Sequence, residues 1–497
     1  MSAAPPSPRE LDAIRDDAER FDAELMEEYY LHFAGHKDSL ELEPIYERHA
    51  ELTKLETAQA LGAAVDGDRR VRELWRFVTE GYLSSLTTSH TERMAQLESE
   101  LEATVDGETI PFRMLRPAVA NEPDRDRRRR IEEERYRLQD EHFNPVALEA
   151  MRIENEAVTT QLGAPTYADL YRRFGWRLDD LAGQCRELLD ATERLYEESA
   201  DALLRRRIGV ALDEAGPWDV ARLFRAPEWD PQFPADRMVP ALRATLSDLG
   251  VDLDAQPNIH LDLEQRPKKS PRAFCAPIEI PERVMLVIQP IGGLDDWRAL
   301  FHEAGHAEHF GNTSPDLHME EKRLGDVAIT EGWAMLMQHL IDDPEWLNRR
   351  LDFPKPQEFA EEGATSLLFF VRRYSAKLLY ELELHSTGDL ESMRPRYVEL
   401  LGDALKIEPS GSNYLLDVDA GFYVTSYLRS WAFEAQLRDF LREEFGRAWF
   451  ARREAGGLLR ELWALGQKPT ADELLRDVTG SELQMAAVGD RIREVLR

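Results

Sequence analysis

The sequence predicts a mainly α-helical protein with a small β-sheet beside one pair of helices. Long charged segments have apolar residues at helical spacing, as in LDAIRDDAERFDAELMEEYYLHF (11–33). In the second half, convincing strands are confined to PNIHLDL (257–263) and IEIPERVMLVIQP (278–290). The 497 residues, 43% of them hydrophobic, are enough for a sizeable core in one large domain or in two to three ordinary ones.

The order of the elements follows from local signals along the chain. Helical spacing fills most of the first hundred residues, and the DG turn inside ATVDGETIPFRML (103–115) predicts a small hairpin. Helices then resume up to the connection WDPQFP (229–234), and the two predicted strands follow it. After two glycines, DDWRALFHEAGHAEHF (295–310) predicts a helix with Asp295 or Asp296 as its N-cap.

The charge of the chain argues against two classes of partner. The formal net charge of −33 disfavours nucleic acids and anionic membranes, because phosphate groups would be repelled except at a local basic patch. RDRRRR (125–130) is the one candidate patch, but EEER (132–135) follows in the same helix-like segment and favours an ion-paired helix face. We expect no nucleic-acid and no membrane partner, and the sequence leaves the oligomeric state open.

The cysteines and the N-terminus indicate the compartment. The segment MSAAPPSPRELDAIRDD has no apolar leader core, and no stretch approaches the roughly 18 apolar residues of a membrane span. Cys185 and Cys275 lie far apart and form neither a CxxC pair nor a disulfide framework. We therefore expect a cytoplasmic protein in which any metal site uses histidine and carboxylate ligands.

HEAGH (302–306) lies in the predicted helix and has the spacing of a metal site. His302 and His306 would stand one turn apart on one helix face, so both imidazoles could reach the same ion. Glu303 would project beside them, where its carboxylate could take a proton from a metal-bound water. Since the composition predicts roughly 0.06 such matches by chance, coincidence is a poor explanation.

A catalytic zinc ion needs a third protein ligand, and Glu331 is the candidate. It lies 25 residues past the second histidine, on a predicted helix of its own, AITEGWAMLMQHL (328–340). His309 and His318 could complete a three-histidine site instead, but His309 lacks the glycine-bracketed spacing of the metzincin motif. Three carboxylates nearer in sequence lie in a charged connection and are interpreted as solvated surface: Glu320, Glu321 and Asp326.

These motifs together resemble one enzyme family. FHEAGHAEH (301–309), followed at this distance by TEGWAML (330–336), is similar to the thimet oligopeptidase and oligoendopeptidase F family of zinc metallopeptidases. RAFC (272–275) and the strand ending in VMLVIQP (284–290) resemble that family's approach to the site. AGFYVTSYLRSW (420–431) resembles its late tyrosine-bearing segment.

The resemblance implies a gluzincin site with one zinc ion per chain, held by His302, His306 and Glu331 with Glu303 as general base. It also implies a zincin-like fold shaped as a large helical bowl or channel. In that fold, residues 1–200 would form one wall, and residues 201–497 would form the catalytic portion. We therefore expect a zinc-dependent oligopeptidase, a metallopeptidase that hydrolyses short unstructured peptides by attack of a zinc-bound water.

The substrate peptide is expected to lie extended against the edge of the strand at 282–289, a mode that recognises main chain rather than side chains. Two other classes of function remain open. A metal-dependent hydrolase of a non-peptide amide or ester would use the same zinc chemistry, whereas a binding or scaffold protein would be catalytically silent. Metal content separates the last class from the others, and product analysis separates the two hydrolases.

One position departs from the family pattern. The family has a histidine five residues before the FYV segment, where it helps to stabilise the transition state, and here that place is Asp417. An ionised aspartate cannot donate a hydrogen bond and would repel a developing oxyanion. The resemblance makes Tyr423 the first choice and Tyr427 the second choice for the neutral donor, although by spacing alone both would be core aromatics.

Overall fold

The computed structural model describes residues 4–497 and is mainly α-helical, as predicted. The first three residues of the N-terminal segment considered above lie outside the described residues. Within residues 4–497, no helix is both long enough and apolar enough to cross a membrane. The helices of the described chain are α1 (Pro8–Phe33), α2 (Glu43–Arg48), α3 (Leu55–Ala64), α4 (Arg69–Glu100), α5 (Phe112–Asn121), α6 (Arg125–Leu138), α7 (Asn144–Thr160), α8 (Tyr167–Arg173), α9 (Leu178–Arg207), α10 (Pro217–Arg225), α11 (Ala235–Asp248), α12 (Leu294–Asn312), α13 (Val327–Gln338), α14 (Pro344–Leu351), α15 (Pro356–Leu384), α16 (Arg394–Leu405), α17 (Val424–Phe445), α18 (Arg453–Trp463), α19 (Ala471–Thr479) and α20 (Ala486–Val495).

The chain forms two compact units, and each is built from separated stretches of sequence. The first unit takes the chain up to Thr79 together with Glu228–Ala360 and Arg429–Val488. The second unit takes Glu80–Pro227, Glu361–Leu428 and the last residues from Gly489. The predicted division into residues 1–200 and 201–497 stays a prediction, as does the channel that depended on it.

The predicted hairpin in the second unit is present. It pairs β1 (Glu102–Val105) with β2 (Glu108–Pro111) in antiparallel register. Asp106 and Gly107 form the turn with φ angles of 53° and 83°, the left-handed conformation that a two-residue hairpin loop requires. The DG pair was therefore a sufficient signal for this element.

The arginine-rich segment in the second unit is an ion-paired helix face, as predicted. It forms the first six residues of α6, and each of its arginines lies within 4 Å of a carboxylate. Such pairs neutralise the local positive charge, so the segment presents no uncompensated basic patch. The pairs are Arg125 and Arg128 with Asp219, Arg127 with Glu108 and Glu122, Arg129 with Glu133, and Arg130 with Asp106.

The first unit contains a three-stranded sheet, in which one strand prediction was wrong. Residues 278–290 do not form one strand. The chain instead makes β4 (Phe274–Glu279), turns at Pro281, and returns as β5 (Arg283–Val287). Proline has no N–H for a strand ladder, and this accounts for the break.

The central position in this sheet belongs to β5. The predicted strand at 257–263 is present as β3 (Ile259–Asp262), and it pairs in parallel with β5, while β4 pairs with β5 from the other side. The expectation of a substrate at the edge of the 282–289 strand was therefore wrong, because β5 is paired on both sides. The sheet edges belong to β3 and β4.

The sheet lies between α1 and α12. Side chains of one sheet face, including Ile278 and Met285, are buried against Tyr30 and Ala34 of α1. Neighbouring residues of a strand point to opposite faces, so Val284 and Leu286 point towards the side on which α12 packs. The predicted position of a small sheet beside the HEAGH helix is confirmed.

A buried lysine anchors the loop that joins β3 to β4. The Lys269 ammonium is fully buried, and its Nζ lies 2.9 Å from the Asp262 carboxylate and 2.7–3.0 Å from three main-chain carbonyl oxygens, those of Asp262, Glu264 and Ile288. Burial tends to raise the pKa of Asp262, but hydrogen bonds from Arg266 and Lys269 lower it to about 2. The buried Lys269 ammonium therefore holds the β3–β4 loop in place, out of contact with water.

We predict that Lys269→Met lowers the free energy of unfolding by about 3 kcal/mol, because it removes one of the two cations bound to the buried Asp262 carboxylate and the donor to three main-chain carbonyls. Lys268→Met is the matched control, since the side chain of Lys268 is 61% exposed. Urea titrations of both variants measure the difference, and equal losses would contradict the prediction.

Because the pKa of Asp262 is depressed from its ordinary 3.8, the stabilisation is complete above about pH 4 and is lost as the pH falls towards 2.

Candidate active site

The HEAGH segment lies on α12, as predicted, but the helix begins earlier than expected. Its first residue is Leu294, and Gly293 occupies the N-cap position. Asp296 lies in the first turn, where its carboxylate accepts the N–H groups of Ile291 and Gly292 at 2.9 Å. The predicted cap at Asp295 or Asp296 was wrong by two to three residues, because Gly293, at a φ of 90°, makes the turn into the helix.

Three side chains from two helices converge in the first unit. His302 and His306 of α12 stand one turn apart, with ring centroids 4.9 Å from each other. The carboxylate of Glu331, on α13, lies 3.6 Å from Nε2 of His302 and 3.9 Å from Nε2 of His306. One ligand atom from each residue falls within 4.8 Å of the others, and no second such group of metal-binding side chains occurs within residues 4–497.

Helix α12 can approach α13 this closely because it has no side chain at the contact. A Cβ on Gly305 of α12 would lie 2.6 Å from the Trp333 carbonyl oxygen and 2.6 Å from the Ala334 Cα on α13. On α13 itself, a Cβ on Gly332 would lie 2.4 Å from the ring of Phe433. The glycine in HEAGH therefore sets the distance between the two histidines and the glutamate.

Nδ1 of each imidazole, the nitrogen that points away from the cluster, has an acceptor on α13. Nδ1 of His302 lies 2.8 Å from Oε1 of Gln338, and Nδ1 of His306 lies 2.8 Å from Oγ1 of Thr330. A proton on each Nδ1 satisfies both contacts and leaves both Nε2 lone pairs directed at the cluster. Sequence reasoning missed these residues, although Gln338 is seven residues after Glu331 and so lies on the same helix face.

Burial sets the protonation of the histidines. It lowers the pKa of His306 to about 4, and together with repulsion from His306 it lowers the pKa of His302 to about 4. Both rings are neutral at neutral pH. Neutral imidazole is the form that binds a metal ion.

Glu303 lies beside this cluster and is held by the edge strand of the sheet. The backbone N–H of Cys275, on β4, donates to Oε2 of Glu303 at 2.9 Å. Burial raises the pKa of Glu303 to about 8, the Cys275 hydrogen bond opposes the rise, and the charge of Glu331 adds to it. A carboxylate in this environment is a stronger base than one in water, which suits a proton acceptor.

The other candidate ligands lie outside the cluster. His309 is fully buried beside Trp333 and lies outside the cluster. Glu320 is also buried, and its carboxylate accepts from Nε of Arg15 at 2.5 Å. The interpretation of Glu320 and Asp326 as solvated surface was wrong, because Asp326 caps α13 and pairs with Arg429 at 2.6 Å.

The two tyrosines belong to the second unit. Tyr423 directly precedes α17, and Tyr427 lies in its first turn. Their rings contact edge to face, with centroids 5.2 Å apart, and Tyr427 also contacts Tyr374 at 5.5 Å. Their role as oxyanion donors stays a prediction.

The fold and the cluster define a class: a mainly α-helical chain with a small sheet packed on an HExxH helix, and a glutamate from the next helix completing the group. Comparison with solved structures agrees with this class. The chain has the fold of the metallopeptidases of the oligoendopeptidase type. No protein-family model and no protein of curated function matches the sequence.

Three structural neighbours illustrate the likeness. PZ peptidase A, solved with an inhibitor, matches with a TM-score of 0.62 and 16% identity over 99% of this chain and 88% of its own. A putative oligoendopeptidase F matches with a TM-score of 0.61 and 17% identity over the same shares. Metallocarboxypeptidase 1 of Trypanosoma cruzi matches with a TM-score of 0.59 and 15% identity over 98% of this chain and 99% of its own.

We predict that Gly305→Ala lowers the free energy of unfolding by about 1–3 kcal/mol, because the added methyl group forces α12 and α13 apart. Gly183→Ala in α9 is the matched control, since a Cβ there meets nothing within 4 Å and alanine favours the helix. Urea titration in the presence of a chelator measures the free energy of unfolding without any contribution from bound metal. Equal stability of the two variants would sink the proposed role of Gly305.

Proposed function

We propose that the protein is a zinc-dependent peptidase that hydrolyses short unstructured peptides. The observation that carries this proposal is the convergence of His302, His306 and Glu331, with the buried carboxylate of Glu303 beside them. The likeness to peptidases of known structure supports the coarser class, a metallopeptidase. The metal, the reaction and the substrate are our inference from the site.

The spacing of the cluster supports zinc as the metal. Zinc in proteins has bonds of about 2.0–2.2 Å in tetrahedral geometry, which places its ligand atoms roughly 3.4 Å apart. The two observed distances from the Glu331 carboxylate, 3.6 and 3.9 Å, are close to that separation. Two imidazoles and one carboxylate are also the ligand set of several catalytic zinc sites, and they leave a fourth position open.

A bound zinc ion would act as a Lewis acid towards a scissile carbonyl and would lower the pKa of a coordinated water. Glu303 would accept the proton of the attacking water and pass it to the leaving amine. Because the N–H of Cys275 holds Oε2, it is Oε1 that remains for this transfer. Tyr423 or Tyr427 would donate to the oxyanion, since a tyrosine hydroxyl is a neutral donor.

The substrate main chain would pair with the edge of β4 rather than with β5. Along an antiparallel edge strand, the N–H and C=O of one residue point to the same side. The N–H of Cys275 points away from β5 and towards Glu303, so its carbonyl faces the same side of the strand. An extended peptide whose N–H donates to this carbonyl would lie along the edge near the cluster, with little selection of side chains.

The second hydrolase candidate, acting on a non-peptide amide or ester, rested on Asp417. That carboxylate is bound within the second unit to Arg373 and Tyr397, so it does not favour such a substrate. The scaffold alternative predicts no metal and no turnover. One experiment separates these classes.

We predict that the protein binds one zinc ion per chain and cleaves unstructured peptides, with rates that fade as the peptides lengthen. Glu303→Gln should retain zinc but lose turnover by about 10²-fold or more, because it removes the base and not a ligand. Glu282→Gln, at an exposed site in the β4–β5 turn, is the control and should match the wild type. Mass spectrometry of the products and elemental analysis provide the readouts. Zinc binding without cleavage of any peptide would exclude a peptidase, and absence of zinc would favour the scaffold.

We also predict that Gln338→Leu weakens zinc binding by about ten- to a hundredfold, because it removes the acceptor that orients His302. Gln338→Glu keeps an acceptor there and should bind zinc at least as tightly as the wild type. Competition with a chromophoric chelator measures both dissociation constants. If the leucine variant binds as the wild type does, the contact between Gln338 and His302 has no orienting role.

A further inference from the structure

The carboxylate of Asp417 is occupied on both oxygens. Oδ1 lies 2.5 Å from Nη2 of Arg373, and Oδ2 accepts the Tyr397 hydroxyl at 2.7 Å. The side chain is only 16% exposed. An aspartate held in this way serves as an acceptor on both oxygens, so it does not replace the donor that the family has at this position.

A second ion pair follows two residues later. The ammonium of Lys377, 4% exposed, lies 2.8 Å from Asp419 and 3.8 Å from Asp417. The N–H of Asp419 donates to the buried carboxyl of Glu381 at 2.9 Å. Burial holds the pKa of Glu381 well above its ordinary value. Asp417 and Asp419 are thus each paired with a cation of α15.

The far end of the same segment is held by packing and by backbone conformation. Gly421 has a φ of 65°, its N–H donates to the Tyr167 hydroxyl at 3.2 Å, and a Cβ there would lie 2.9 Å from the Tyr171 hydroxyl. Phe422, with a φ of 52°, is fully buried, and its ring contacts that of His385. A non-glycine residue keeps such a φ only where its surroundings enforce it.

These anchors lead directly to the two tyrosines. Tyr423 is the next residue in the chain, and its ring contacts Tyr427. The ring of Tyr374 lies 5.3 Å from the Lys377 ammonium on one side and contacts Tyr427 on the other. The ion pairs of Asp417 and Asp419 are thus connected to Tyr427 both through the chain and through an aromatic contact.

We propose that Asp417 is a positioning residue: through Arg373, Tyr397 and Lys377 it fixes the segment 417–422 and thereby the placement of Tyr423 and Tyr427. The catalytic consequence rests on the proposed function, in which one of these tyrosines stabilises the oxyanion. In the family, the histidine at this position acts on the substrate. Here, Asp417 would instead order the tyrosines that act on it. A site ordered before substrate binds avoids part of the cost of ordering it during the reaction.

The test compares Asp417→Asn and Asp417→His with Asp403→Asn, an exposed aspartate on α16. Hydrogen exchange of peptides covering residues 411–428 measures the order of the segment, and peptides covering α12 and α13 report whether the first unit stays folded. We expect faster exchange at 411–428 in both Asp417 variants and unchanged exchange at α12 and α13. We also expect a fall in kcat of about tenfold or more with KM within about twofold, because orientation is lost and binding is kept.

Three outcomes would overturn the proposal. Unchanged exchange at 411–428 would show that Asp417 does not order the segment, and faster exchange with an unchanged kcat would show that the order has no catalytic use. Activity of Asp417→His at or above that of the wild type would mean that the position acts as a donor after all. If the zinc-loaded wild type cleaves no peptide, the proposed function fails, and hydrogen exchange alone still decides whether Asp417 orders the segment.

Discussion

The contact between α12 and α13 is the constraint on which the candidate site depends. Helix α12 contributes both histidines, whereas α13 contributes Glu331 and the acceptors for both outer imidazole nitrogens. One helix register therefore sets the ligand distances and the histidine tautomers together. That register requires the backbones to touch at Gly305, because any side chain there would collide with main-chain atoms. The geometry of the cluster is thus fixed by the packing of two helices and not by the conformation of a loop.

The same contact concentrates negative charge. Glu303 and Glu331 are buried together beside two imidazoles whose pKa values are lowered by burial, so the histidines supply no compensating charge at neutral pH. A divalent cation at the proposed metal site would balance the two carboxylates. Burial, to which the charge of Glu331 adds, raises the pKa of Glu303 to about 8. The environment that makes Glu303 a strong base is therefore also the one that favours a cation.

Much of the fold and of the cluster could be predicted from sequence, because the signals were local. The four-residue spacing of His302 and His306, the DG hairpin and the arginine-rich helix depend on neighbours within a few residues. The fold class was correct for the same reason. The single strand at 278–290 was wrong because one proline interrupts a hydrophobic run. The partners of Asp417 and the N–H of Cys275 had no sequence signal, since they come from distant stretches or from the backbone.

The first unit is assembled from three stretches of chain, the last of which is Arg429–Val488. During synthesis, the helices with His302, His306 and Glu331 leave the ribosome roughly a hundred residues before Phe433, the ring on which Gly332 packs. Until then, one side of α13 has no permanent cover, although the helix is almost entirely apolar. The nascent chain must shield that surface for several seconds at typical rates of translation. Helix α13 therefore depends on the stretch Arg429–Val488 for its cover, although its own residues are made much earlier.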